Sequence, residues 1–189
     1  MANQDSPFGL RAIGKIGQNR DNQGLAEFSI AASATAIYGQ DPVKALNTGT
    51  IGVAAAGDTL LGSLNGVFFT AADTSKPTFA NHLNASNTAT DIVGFVSSDP
   101  YERFEIQSDN TLASAQTDVF MNYDITYAAG SSHDHLSGVE LDDSTLNSTT
   151  GQLKVVGVSK DIKNNELGAS HVNFVVMINE HFLKQVAGV

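Results

Sequence analysis

The sequence predicts a mainly β protein, an antiparallel β-barrel or jelly-roll-like sandwich with an extended N-terminal arm and long surface loops. Three observations carry that prediction. Gly, Ser, Thr, Asn and β-branched residues are spread throughout, and long Ala/Leu/Glu/Lys stretches of helical period are missing. Short apolar runs recur at regular spacing between turn-forming clusters. The last two runs, residues 153–158 and 172–178, are β-branched and apolar, which predicts that they form the core.

Taken in order, residues 10–16 alternate loosely, and residues 25–30 and 36–38 supply further short strand candidates. Asp41-Pro42 marks a turn into a strand over 43–46, and Gly57-Asp58 marks another before the apolar run 60–69. Gly62 and Gly66 interrupt that run, as bulges or tight bends in a strongly curved sheet do. Residues 71–90 have no apolar period and many turn formers, which predicts a long surface loop. Strand character returns over 91–96 and 103–106, and again over 118–127, before a second polar excursion at 128–138. After the final strand, "NEHFLKQV" is expected to make one short helical turn.

A chain of 189 residues suits one domain, here a body over 12–189 preceded by the arm 1–11. Twenty acidic residues against ten basic ones leave a formal charge of −10, which repels phosphate backbones and anionic lipid surfaces. Neither nucleic acid nor membrane is expected as a partner. The basic residues are scattered, without the Lys/Arg runs and interleaved aromatics of a single-strand groove. No cysteine is present, so disulfides and thiolate metal sites are excluded, in keeping with synthesis in a reducing cytoplasm. The first fifteen residues lack the basic and apolar regions of a signal peptide, so a non-secreted chain is expected.

No catalytic residue is expected. There is no Gly-x-Ser-x-Gly elbow, no phosphate-cradling loop and no dinucleotide fingerprint. Glu102 and Glu105 straddle a strand candidate and point to opposite faces, which is poor geometry for a carboxylate pair acting on one bond. His133-Asp134-His135 is the one concentration of metal-capable residues. It lies in a Gly/Ser-rich stretch without a third ligand at characteristic spacing, so no metal or cofactor is expected, and His133 and His135 stand as the candidates if one binds. At the N-terminus, Pro7 restricts Ser6 to extended geometry, and Phe8 and Leu10 are apolar side chains near a free end. Two readings follow: a first strand tucked into its own core, or an arm whose Pro7, Phe8, Leu10 and Arg11 dock on a neighbouring subunit.

Several blocks then occur in a telling order: Ala2 to Arg11 in the form Ala-Asn-x-x-x-Pro-Phe-Gly-Leu-Arg, Asp41-Pro42-Val43, and the Gly57-Asp58 turn before Leu60-Leu61-Gly62. "FEIQSDNTL" from Phe104, "SGVELDDST" from Ser137, and the stretch from Asn164 to His181 follow. Together they resemble the capsid decoration, or cement, proteins of tailed bacteriophages. The departures lie in residues 71–90 and around His133, where that family varies. The resemblance implies a non-enzymatic virion protein on the capsid exterior, made in the host cytoplasm. Its partners would be the major capsid protein and further copies of itself, as a homotrimer or other symmetric oligomer. A tail-tube or head-tail connector subunit is the alternative, although the sequence shows no long alternating hairpin for a tube. A carbohydrate-binding virion surface module ranks after it, because Trp is absent and the aromatics fall largely within strand candidates.

Overall fold

Apolar alternation organises the strongest strands, because successive side chains of a strand point to opposite faces. The structure is a computed structural model that describes residues 3–16, 25–147, 149–185 and 188–189. Its strands in chain order are β1 (Arg11–Lys15), β2 (Ala26–Ser29), β3 (Pro42–Ala45), β4 (Ile51–Val53), β5 (Gly62–Thr70), β6 (Pro77–Ala80) and β7 (Val93–Ser97). They continue as β8 (Glu102–Gln107), β9 (Asn122–Tyr123), β10 (Ile125–Thr126), β11 (Glu140–Leu141), β12 (Leu153–Val158) and β13 (Asn173–Ile178). One antiparallel sheet has the order β1-β8-β13-β12-β9, and a second runs β2-β7-β5-β3-β4 with β6 added against β5. The ribbon β10-β11 lies beside them.

In the first sheet the register places Phe174 opposite Ile106, Val176 opposite Phe104, and Ile178 opposite Leu153. All six side chains are buried in one core, covered by Ile125, Val139 and Leu141. This is the core expected from the last two strands. A second core, formed by Ile37, Val43, Leu61, Leu64, Val67, Leu83 and Val96 among others, lies under the second sheet. Adjacent residues Leu60 and Leu61 belong to different cores, so the two sheets meet along that peptide. Gln152, fully buried beside it, donates to Ala55 O (2.9 Å) and Asp58 O (2.7 Å) and accepts from Ile125 N (3.0 Å). Its amide thus ties the loop before β5 to the core of the other sheet.

The body is sandwich-like, not a closed barrel. The second sheet curls until Ile30 and Ile51 meet in a single bridge, but β2 and β4 are four and three residues long and no ladder joins them. Three further expectations need correction. Residues 71–90 are not one surface loop: β6 pairs with β5 from Val67↔Ala80 to Thr70↔Pro77, and Leu83 bridges Ile37 inside the core. The strand expected over 118–127 is broken into a 3-10 turn ending at Asp118 and two short strands, because Asp124 N is drawn to Thr145 Oγ1 (2.8 Å) between β9 and β10. Residues 36–38 contribute a bridge at Ile37 instead of a strand. The helical turn at the end is present as a 3-10 turn over Phe182–Lys184.

The arm expected over 1–11 is laid along the protein's own body; Met1 and Ala2 lie outside the described residues. Ser6 N donates to Gln107 Oε1 (2.8 Å), and Gln4 O accepts from Gln107 Nε2 (3.0 Å) and Asn164 Nδ2 (2.7 Å). Gly9 has φ +75°, and a Cβ there would overlap Gln40 O and Ser137, so the Pro-Phe-Gly sequence supplies the one residue that fits. Leu10 is 0% exposed within the first core, and Ser63 Oγ donates to its carbonyl (2.6 Å). Replacing it, Leu10→Ala, should cost about 2–5 kcal/mol of unfolding free energy. Removing residues 1–11 should lower the denaturation midpoint instead of leaving the fold untouched; chemical denaturation of the two variants checks both.

Candidate docking surface

Each sequence-predicted contact residue has a partner in its own chain. The Arg11 guanidinium lies 4.4 Å from the centre of the Phe8 ring and forms an ion pair with Glu105, with Nε at 3.1 Å. Ser159 Oγ donates to the other oxygen of the same carboxylate. Pro7 is half-buried beside Ser137 and Gly138, and Leu10 is in the core. Leu10 is therefore unavailable as an anchor on a neighbour; Phe8 and Arg11 present only their outer sides.

His133 and His135 do not converge. His133 is exposed, whereas the His135 ring stacks on His82 at 3.7 Å and 7°, with Tyr38 beyond it at 6.5 Å from His82. Burial, and then the neighbouring His135, hold His82 below the usual imidazole range. The metal-capable grouping among the described residues lies elsewhere and joins Asp5, Glu140 and His171. Sequence reading missed it because its members come from three remote segments.

The largest departure from expectation is an aromatic face on the second sheet. Val67, Gly94 and Val96 point inward, so the pleat sends Phe68 and Phe95 outward. β6 then places Phe79 directly opposite Phe68. The rings of Phe68 and Phe79 are 4.8 Å apart at a tilt of 49°, and Phe79 and Phe95 are 6.4 Å apart and stacked. Phe79 remains 73% exposed. The ring cluster includes Phe79 of the edge strand β6, and Glu27, opposite Phe95, and Asp91, bonded to Thr70 N, are exposed. Phe68 and Phe95 fall within strand candidates, as the sequence reading has it, whereas Phe79 does not. A period-2 reading of β5 does put Phe68 on the outer face, but Phe79 sits in a segment with no apolar period.

Buried carboxyls mark the polar seams of the body. Asp41 is fully buried, and loss of hydration raises it to about 6, against the lowering effect of its bonds to Ser137 and Tyr38 N. Burial, followed by the nearby carboxylates of Asp109, Asp118 and Asp142, pushes Asp143 up to about 8. His181 is held down to about 4 by burial and then by Lys184. No known protein-family model, curated protein or solved structure matches this chain. The fold and surface define it as a β-sandwich with an aromatic face open to solvent.

A carboxyl whose folded pKa lies above its unfolded value holds its proton more tightly when folded. The stability this contributes is present at low pH and is lost as pH rises through the folded pKa. For Asp143 that loss falls between about pH 4 and pH 8. Asp143→Asn, which keeps the shape of the protonated group, should therefore have a higher Tm than the parent at about pH 9, with the difference vanishing at about pH 4. Thermal unfolding at the two pH values measures it.

Proposed function

We propose that this chain is a structural protein that decorates the outside of a tailed-phage capsid and stabilises it by clamping neighbouring major capsid subunits, without chemistry of its own. The observation that carries the reading is the outward Phe68-Phe79-Phe95 cluster, in which Phe79 is 73% exposed on half-buried Phe68 and Phe95. Its place in the chain supports it further. The sequence blocks that resemble the cement family supply the scaffold: Gly9 against Ser137, Gln107 and Asn164 on the N-terminal segment, Asp58 on Gln152. Phe79 instead lies in the segment 71–90, where that family varies. A constant body carrying a variable contact is what a protein fitted to one particular shell requires.

Fully burying a Phe side chain contributes roughly 1.5–3 kcal/mol, so the face offers modest affinity at each contact. Many symmetric copies, each tied to more than one subunit, convert such contacts into avidity. The net charge of −10 keeps the bound layer from adhering to released DNA. As a homo-oligomer on the capsid exterior, the protein would turn its aromatic face toward the shell.

Separating purified virions into heads and tails and quantifying the chain by mass spectrometry tests this reading. Hundreds of copies in the heads are expected; enrichment in tails would favour a tube or connector subunit instead, and absence from virions would end both. Phe79→Ser should reduce head occupancy about tenfold or more while leaving Tm within about a degree, because the ring it removes is mostly in solvent.

A further inference from the structure

We propose that Asp5, Glu140 and His171 form a binding site for one divalent transition-metal ion, and that this ion fastens the N-terminal segment to the body. The site is independent of any capsid role. His171 Nδ1 lies 3.9 Å from Asp5 Oδ1 and 3.9 Å from Glu140 Oε1, and the three donor atoms all fall within 4.8 Å of one another. That spacing is too wide for hydrogen bonds. Bonds of about 2.0–2.2 Å to a shared ion put tetrahedral donors about 3.4 Å apart, so the two pairs that share His171 must close by about half an ångström and the Asp5–Glu140 pair, within 4.8 Å, by at most about 1.4 Å.

Two of the donor atoms are otherwise unexplained. Glu140 Oε1 and His171 Nδ1 are both inaccessible to solvent and have no hydrogen-bond partner. A buried polar atom without a partner is costly, and two of them facing each other across a short gap point to an occupant between them. The carboxylates of Asp5 and Glu140 flank the His171 ring, which adds positive charge there only when protonated. Burial, and then the acidic neighbours Asp5 and Asp109, disfavour the charged form of Glu140, a load that a bound cation would relieve. Asp5 is exposed, which leaves a path for an ion to enter and positions for water to complete its coordination.

The surroundings hold the donors in place. Asn164 Nδ2 donates to Gln4 O (2.7 Å) and to His171 O (2.8 Å), so one buried amide fixes the residue before Asp5 and the backbone of His171 together. Asn3 adds a clamp on the same loop, donating to Glu166 O (3.0 Å) and Ser170 O (2.9 Å) and accepting from Glu166 N (3.2 Å). Glu140 is fixed by pairing with Thr126 across β10-β11. One imidazole and two carboxylates suit zinc or manganese better than calcium, which prefers six to eight oxygens. The ion would complete a strap that protein hydrogen bonds have already aligned.

Isothermal titration of the chelator-stripped full chain with zinc chloride tests the site. One ion per chain is expected, with at least a tenfold loss of affinity in both Asp5→Asn and His171→Gln. Asp5→Asn alters an exposed side chain, so its effect on binding is readable even if His171→Gln folds poorly. The zinc-loaded protein should also show slower proteolytic cleavage within residues 3–8 than the stripped protein, and Asp5→Asn should abolish that difference. His82→Ala combined with His133→Ala should bind zinc as the parent does. Absence of saturable binding, binding that survives Asp5→Asn unchanged, or binding lost with His82 and His133 would each overturn the proposal.

Discussion

The peptide between Leu60 and Leu61 is the constraint on which the rest of the structure depends. Just before β5 the two side chains part, Leu60 into the core of one sheet and Leu61 into the core of the other. Their backbone is pinned on both sides: Leu60 N donates to Glu180 O (3.0 Å), Phe182 N donates to Leu60 O (2.8 Å), and Leu61 N donates to Val43 O (2.8 Å). The sheets cannot part without exposing a leucine and breaking these bonds. The Gln152 amide beside the seam meets two carbonyls and one N–H, so the polar group buried there is satisfied and not a source of strain.

From that seam the placement of the surface features follows. β5 leaves Leu61 and carries its inward residues across the second core, which obliges Phe68 to face out. The hairpin to β6 adds Phe79, and β7 on the other side of β5 adds Phe95. The N-terminal segment runs beside β8, where Arg11 meets Glu105 and Leu10 enters the first core. Of the two readings of the N-terminal segment, the structure shows the one in which it packs on its own body, and the aromatic face is an apolar surface left open to a neighbour. The proposed role in a capsid rests on that pairing of a strapped scaffold with a contact surface.

What the sequence made legible was what local pattern controls. The strands near 10–16, 43–46, 93–97, 153–158 and 173–178 follow from alternation and β-branched content, and the curvature of the second sheet from Gly62 and Gly66. β6 was hidden because Pro77-Thr78-Phe79-Ala80 carries one large apolar side chain and becomes a strand only through pairing with β5. The break at Asp124 was hidden because its cause, the Thr145 hydroxyl, is remote in sequence. The same holds for the candidate site. Adjacent His133 and His135 drew attention by spacing, yet the fold turns one to solvent and stacks the other on His82, while Asp5, Glu140 and His171 meet only in three dimensions.

An electron cryomicroscopy map of intact virion heads, with this chain fitted into the outer density, tests the central claim most directly. The account predicts that the fitted copies turn Phe68, Phe79 and Phe95 onto the major capsid protein or onto a neighbouring copy at the shell, with the N-terminal segment still strapped to its own β8. Copies fitted on the shell with the aromatic face pointing to solvent, or density for this chain confined to the tail, would contradict it.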